Sequence, residues 1–330
     1  MSTAAEGEHA VPPSIPLPLV AFAGQANHRT AYQQHLIDAA AAAGIKIALH
    51  IDPETVDPAT VDYLIFAANG PVQDFKPYSK IAGILNLWAG VEAVLELDPP
   101  ADVPLVRMVE DGLTLGMIDY VCGHVLRHHL DVDRYIHSSP IEEWEVDYPP
   151  LARDRTVGIL GLGALGASCA AQLAAHGFRV IGWSRSPKDI AGVECRTGAD
   201  ALDETIAEAE ILVLLLPATA QTHRILNARR IALMPLDACL INAARGQLVD
   251  HQALLIALSA GLLRHATMDV YDVEPLPPND PYWTHPRVTV TPHIASVTRP
   301  KTASQSIIAQ IARHQRGERF LHIVDRARGY

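Results

Sequence analysis

The segment that most restricts this chain is Thr156–Phe178. An apolar strand candidate, Thr156–Leu160, runs into Gly161-Leu-Gly163-Ala-Leu-Gly166 and then into the apolar helical stretch Ala167–Ala175. The segment holds no Asp, Glu, Lys or Arg and is long enough to span a bilayer. Its glycines, with Gln172 and His176 behind them, instead divide it into strand, turn and helix, and no membrane segment is read here. A GxGxxG pattern alone is weak evidence; between a strand and a helix it acquires a mechanism. Gly161 permits the tight turn, Gly163 lets a pyrophosphate approach the backbone, and Gly166 lets helix and strand pack closely. The free N–H groups and dipole of the helix start then hold the phosphates. A glycine-rich turn without a ligand is the alternative, and the strand–turn–helix context weighs against it. Gly161, Gly163, Ala164, Leu165 and Gly166 are therefore cofactor-binding candidates.

The same alternation extends over the chain. Apolar runs at Leu19–Ala23, Ile45–Leu49, Tyr63–Ala67, Ile84–Leu87 and Leu105–Val109 form one series of predicted strands. A second series is Thr156–Leu160, Arg179–Trp183, Ile211–Leu216, Ala238–Asn242, His265–Asp269 and Val288–Thr291. Helical stretches lie between them: Ala31–Ala43, ended by Gly44, a long one over 112–130, and a last one over Lys301–Arg316. Pro149-Pro150 breaks the chain before the second series. Strands alternating with helices predict an α/β fold with covered parallel sheets. The 330 residues suffice for about two domains.

Charge and cysteine usage narrow the functional classes. With 26 Lys+Arg against 37 Asp+Glu the net charge is −11, which argues against nucleic acid as a partner. Cys122, Cys169, Cys195 and Cys239 form no CxxC pair and read as reduced thiols of a cytoplasmic protein. Residues 1–16 have no Lys or Arg and are rich in proline; they read as a disordered extension, not a signal peptide. The end of the strand after the glycine loop selects the cofactor. An NAD site wants an acid about 20 residues on, to bond the ribose 2′-hydroxyl. Here stands Trp183-Ser184-Arg185-Ser186, with no acid. Arg185 can fork onto a 2′-phosphate and Ser184 and Ser186 can add bonds, which predicts NADP as preferred over NAD.

Three further segments place polar residues just beyond apparent strands: Asn242-Ala-Ala-Arg245-Gly246, Asp269-Val-Tyr-Asp-Val-Glu274-Pro275 and Thr291-Pro292-His293-Ile-Ala295. Open α/β sheets bind ligands at such ends. With the GLGALG loop and the terminal VDRARGY, these segments resemble the D-isomer-specific 2-hydroxyacid dehydrogenases, in particular the glyoxylate/hydroxypyruvate reductase A subgroup, over residues 17–330. The resemblance implies reduction of small 2-oxoacids by hydride transfer. Arg245 would bind the substrate carboxylate and keto oxygen, His293 would be the general acid, and Glu274 would pair with it. It also implies Asp269 near the nicotinamide carboxamide, Leu216, Pro217 and Thr222 on a cofactor loop, and Ala295 beside the cofactor. The residue types suit the chemistry: the keto oxygen needs a proton donor with a pKa near 7, and arginine matches a planar carboxylate.

Asn86-Leu-Trp88-Ala89-Gly90-Val91-Glu92 resembles the family's NLGAGVD loop, whose backbone N–H groups would hold the substrate carboxylate; Trp88, Ala89 and Gly90 are substrate-binding candidates with Arg245 and His293. Trp88 replaces the usual glycine and Glu92 the usual aspartate. Trp88 either narrows the pocket or packs between domains. Trp144 falls in a segment, about 120–150, that forms a dimerisation arm in the family, which implies a homodimer. His124 and His128 have a possible metal spacing, but no further ligand completes it, and no metal is expected. Arg107 either assists with an anionic substrate or pairs with Glu110 or Asp111. A non-enzymatic dinucleotide sensor of the same fold could keep the same three polar residues, and so could a dehydrogenase of another 2-hydroxyacid. The implied architecture is two Rossmann-like/flavodoxin-like domains with parallel sheets. Residues 17–110 and 297–330 form the substrate domain, into which the cofactor domain, 111–296, is inserted. Arg185, Arg245 and two helix starts, after Gly161 and near Gly90, are expected to supply the positive field for anionic ligands.

Overall fold

The apolar runs pair into two parallel sheets whose strand orders differ. The computed structural model describes residues 16–138, 144, 146 and 148–329. The first sheet comprises β1 (Leu19–Ala23), β2 (Ala48–His50), β3 (Tyr63–Phe66), β4 (Gly83–Asn86) and β5 (Leu105–Val106), ordered β2-β1-β3-β4-β5. The second comprises β6 (Thr156–Leu160), β7 (Arg179–Trp183), β8 (Val193–Arg196), β9 (Ile211–Leu214), β10 (Ala238–Asn242), β11 (Leu263–Met268) and β12 (Val288–Val290), ordered β12-β11-β10-β9-β6-β7-β8. The first order is flavodoxin-like; the second is the doubly wound dinucleotide-binding order with one strand added. The helices are α1 (Arg29–Ala42), α2 (Glu92–Glu96), α3 (Asp111–His129), α4 (Val132–Ser138), α5 (Ala164–Ala175), α6 (Ala199–Glu208), α7 (Ala228–Ile231), α8 (His251–Ser259) and α9 (Pro300–Gln315).

Parallel sheets need both faces covered, which is why their central strands are mainly apolar. Val20 to Ala23, Leu64 to Phe66 and Ile211 to Leu214 have no exposed surface. Each large side chain so buried contributes about 1.5–3 kcal/mol. The last helix returns to the first sheet: Ala303, Ile307, Ile308 and Ile311 of α9 share a core with Val20, Phe22 and Leu36. Helix α3 spans both units. Its N-cap Glu110 accepts from the N–H groups of Gly112 (2.6 Å) and Leu113 (2.8 Å). Leu113 joins the first core, whereas Met117, Val121 and Val125 pack with Val157, Ile159 and Leu173 of the second.

Several elements depart from the sequence reading. Helix α5 starts at Ala164 with Gly163 as its N-cap, so the loop's last glycine lies in the first helical turn. Strand β5 stops at Val106 because the next N–H groups leave the sheet: Arg107 donates to the His322 carbonyl and Met108 to the Trp88 carbonyl. The Glu110 carboxylate caps α3. Strand β8 had no counterpart among the predicted strands, since Glu194 and Arg196 interrupt its apolar pattern on a partly exposed sheet edge. Residues 120–129, the first part of the expected arm, are the second half of α3, held by Val121 and Val125 against the second core. Residues 139–143, 145 and 147 of that arm, and residues 1–15 of the expected N-terminal extension, lie outside the described residues. Among the described residues no helix is long and apolar enough to cross a membrane, and the four cysteines are free thiols.

Candidate active site

The glycine loop joins β6 to α5 at the point where the second sheet's strand order reverses. Its three glycines do different work. Gly161 has φ +110°, a left-handed conformation that L side chains rarely adopt. A Cβ on Gly166 would stand 1.8 Å from the Gly161 carbonyl oxygen, so helix and turn pack as closely as the backbone allows. A Cβ on Gly163 would meet nothing within 4 Å. That open approach to the start of a 12-residue helix, with no acid in its first turn, fits a pyrophosphate. Leu165 packs against the cores of both units. After β7, the Ser184 hydroxyl donates to the Ser186 carbonyl (2.7 Å), so its proton holds the turn rather than a ligand. Arg185 and Ser186 are exposed beside it and fit a 2′-phosphate. Thr222 donates to the Pro217 carbonyl (2.6 Å), which closes the turn after β9, with Leu216 buried beneath.

Strands β10, β11 and β12 end side by side, and the three polar segments follow them. His293 Nδ1 lies 2.7 Å from Glu274 Oε2. Glu274 Oε1 accepts from the Tyr271 N–H at 3.0 Å, which fixes the carboxylate. The Glu274 hydrogen bond raises the His293 pKa above 6.5, against an opposing effect of burial. Burial works against ionisation of Glu274, but its bonds to His293 and Tyr271 prevail and hold it below the usual carboxylate value. His293 has φ +54°, and its N–H donates to the Asp269 carbonyl (2.9 Å).

Arg245, just past β10, meets the other unit. Its Nε donates to Glu92 Oε1 (3.0 Å) and its Nη2 to Glu92 Oε2 (3.1 Å), while Nη1 donates to the Ala244 carbonyl (2.6 Å). Burial opposes ionisation of Glu92, but the Arg245 charge and hydrogen bonds prevail and lower its pKa. The loop before Glu92 is pinned by Asn86, whose Nδ2 donates to the carbonyls of Trp88 and Gly90, each at 2.9 Å. Gly90 lies so close to the arginine that a Cβ there would be 1.9 Å from Nη2.

This arrangement can be set beside known proteins. The family model for the D-isomer specific 2-hydroxyacid dehydrogenase NAD binding domain matches residues 122–295. A glyoxylate/hydroxypyruvate reductase A from Yersinia enterocolitica is 41% identical over 257 residues, covering 76% of this chain and 82% of its own length. The chain belongs to the D-isomer specific 2-hydroxyacid dehydrogenases. Two solved members are similar over almost the whole chain. A dehydrogenase from Xanthobacter autotrophicus in complex with NADPH and MES has a TM-score of 0.88 and 37% identity, covering 96% of this chain and 100% of its own. The NADPH-dependent glyoxylate/hydroxypyruvate reductase of Sinorhizobium meliloti, in complex with NADP and sulfate, has a TM-score of 0.84 and 34% identity with the same coverage.

Within this dehydrogenase fold the remaining candidates divide into those near the site and those away from it. Asp269 is completely buried. Its Oδ1 accepts from Thr291 Oγ1 (2.6 Å) and the Ile294 N–H (2.8 Å), and its Oδ2 from the Ala295 N–H (2.9 Å). Asp269 thus shapes the His293 loop from beneath, and Ala295 is a buried part of that loop. Thr291 in turn takes a 2.7 Å bond from the Tyr120 hydroxyl on α3, a residue the sequence reading did not single out. Trp88 and Ala89 are partly buried against the first core. Trp144 is 93% exposed. His128 is buried with Nε2 on the Thr267 hydroxyl (2.9 Å), and its ring lies 6.4 Å from that of His124. Glu92 was recognised only as a departure from the family's loop; its being the one acid in residues 86–92 was the available signal.

Proposed function

We propose that this dehydrogenase reduces small 2-oxoacids, glyoxylate and hydroxypyruvate among them, to D-2-hydroxyacids with NADPH as preferred donor and NADH as a poorer one. The observation that carries the reading is the 2.7 Å pair of His293 and Glu274 beyond the same sheet edge as Arg245. Bound NADPH supplies the hydride that adds to the keto carbon. Glu274 accepts from Nδ1 and favours the protonated imidazole, whose Nε2 gives its proton to the keto oxygen. Arg245 grips the carboxylate and the keto oxygen, and the backbone of Ala89 and Gly90 completes the grip. Arg185 and Ser186 hold the 2′-phosphate, and the Gly161–Gly166 loop holds the pyrophosphate. Asp269, Leu216, Pro217, Thr222 and Ala295 shape the surface on which the nicotinamide half rests.

Residues 17–110 with 297–330 serve as the substrate unit in this reading, and 111–296 as the cofactor unit, with catalysis in the cleft between them. The packing of α9 on the first core supports that division. Exposed apolar side chains at Leu115, Ile136, Trp144 and Tyr148 support a homodimer through this region, and the free thiols suit a cytoplasmic setting. Following NADPH and NADH oxidation with glyoxylate and hydroxypyruvate tests the function. NADPH should give a kcat/KM about tenfold or more above NADH, the weight of one charge-assisted phosphate contact. Inactivity across a 2-oxoacid panel would replace the enzyme with the dinucleotide sensor.

A further inference from the structure

The five N–H groups of a guanidinium form three edges: Nε with one N–H of Nη2, the end-on pair of Nη1 and Nη2, and the remaining N–H of Nη1 beside the chain's own Cδ. In Arg245 the first edge carries both oxygens of Glu92, at 3.0 and 3.1 Å, and the Ala244 carbonyl takes Nη1 at 2.6 Å. One N–H on each terminal nitrogen is then left, and with the Ala244 carbonyl on the Nη1 hydrogen beside Cδ these two make up the end-on fork. Glu92 opens α2 directly after the loop that Asn86 pins, in the first sheet's unit, whereas Arg245 follows β10 of the second. The pair therefore crosses from one unit to the other. A long arginine side chain has many rotamers, and an acid bound on one edge removes most of them.

We propose that Glu92 is a positioning residue: it holds Arg245 by its Nε edge across the cleft, so that the end-on fork is the edge presented to the substrate. This rests on the 2-oxoacid reading of the site. Glu92 touches neither substrate nor cofactor; it acts through Arg245. Arg245 lowers the pKa of its carboxyl against the effect of burial, which agrees with this pairing. The role differs from simple charge neutralisation, because a neutral amide of the same shape keeps one acceptor but loses the two-point grip.

Steady-state kinetics of Glu92→Gln and Glu92→Asp with glyoxylate and NADPH, beside the parent, test this. Misplacement of a substrate clamp by an ångström costs about 10²-fold, so Glu92→Gln should lose about 10- to 100-fold in kcat. NADPH binding, read by fluorescence titration, and the melting temperature should stay near the parent values. Glu92→Asp, which retains the two-oxygen fork on a shorter stem, should recover a substantial part of kcat. A glutamine variant with parental kcat and KM overturns the proposal. So does one with lowered KM and intact kcat, which would make Glu92 a competitor of the substrate for Arg245. Lost activity accompanied by lost NADPH binding or a collapsed melting transition also overturns it, since the role would then be structural. If the parent itself turns over no 2-oxoacid, the functional reading fails before Glu92 is tested.

Discussion

Gly90→Ala separates the two things that a packed active site does, folding and catalysis. The added Cβ would stand 1.9 Å from Arg245 Nη2, where ordinary contact begins at 3.4 Å. One of the two must retreat by about 1.5 Å, on the scale at which reacting groups lose their alignment. The Gly90 backbone is held by Asn86 through its own carbonyl, and Gly90 is not among the residues with positive φ, so alanine suits the backbone and the loop stays. The arginine end is the softer partner. Moving it by that distance breaks the 3.0 and 3.1 Å bonds to Glu92. Both side chains are about a third exposed, so the stability lost with the pair is about 1 kcal/mol or less. The displaced fork, by contrast, should lower kcat/KM for glyoxylate about 10²-fold. Thermal unfolding and NADPH-oxidation kinetics on the same preparation measure both numbers. A variant that melts like the parent and keeps kcat/KM within about threefold would refute the placement of Arg245 in the reaction.

Three more outcomes follow from the site. In the proposed mechanism reduction uses the protonated form of His293, whose pKa is raised by Glu274. Activity should therefore persist below that raised pKa and fall as pH rises through it, and in Glu274→Gln the fall should begin at lower pH in a pH–kcat/KM profile. His293→Ala should lower kcat by about 10² to 10⁴ with glyoxylate, while NADPH binding by fluorescence is kept. Arg185→Ala should raise the KM for NADPH about tenfold or more and leave that for NADH nearly unchanged, read as the ratio of the two in parallel assays.

What could be read from the sequence was whatever rests on local rules. Strands β1, β6, β7 and β10 coincide with their predicted runs residue for residue, because their inner positions are buried and polar residues such as Arg179 and Asn242 stand only at their ends. Strand β8 escaped because an edge strand tolerates Glu194 and Arg196. The start of α5 was placed late because Ala164 and Leu165 look like loop when read with the glycines, although Gly163 already caps the helix. Arg245, Glu274 and His293 could be nominated because each closes a segment of recognisable composition. Their bonds could not. The Glu92–Arg245 contact joins residues 153 apart in sequence, and Tyr120–Thr291 joins residues 171 apart. Such pairs depend on how α3 and the two sheets dock, which no local pattern encodes. Ser184 shows the converse: a hydroxyl of suitable type and place whose proton the turn itself consumes.

The same docking explains how a chain of net charge −11 can offer a site to anions. Charges alone make the cleft unpromising, with Glu92, Asp269 and Glu274 set against Arg245 and His293. The helix start near Gly90 adds little, since α2 has five residues and begins with Glu92 itself. Each acid, however, is turned inward onto donors of the protein. Asp269 faces a hydroxyl and two N–H groups, Glu274 faces His293 and the Tyr271 N–H, and Glu92 faces the side of the guanidinium. What these bonds leave for a ligand is the Nε2 of an imidazole whose protonated form Glu274 favours and one N–H on each terminal nitrogen of Arg245. In a partly desolvated cleft the nearest hydrogen-bond partners outweigh the distant surface charge, which salt screens over about 8–10 Å. The carboxylates thus do not weaken the site for a 2-oxoacid; they orient the donors that recognise it. Binding of glyoxylate should accordingly weaken only modestly with added salt, whereas the rate of its encounter with the acidic surface should respond more strongly.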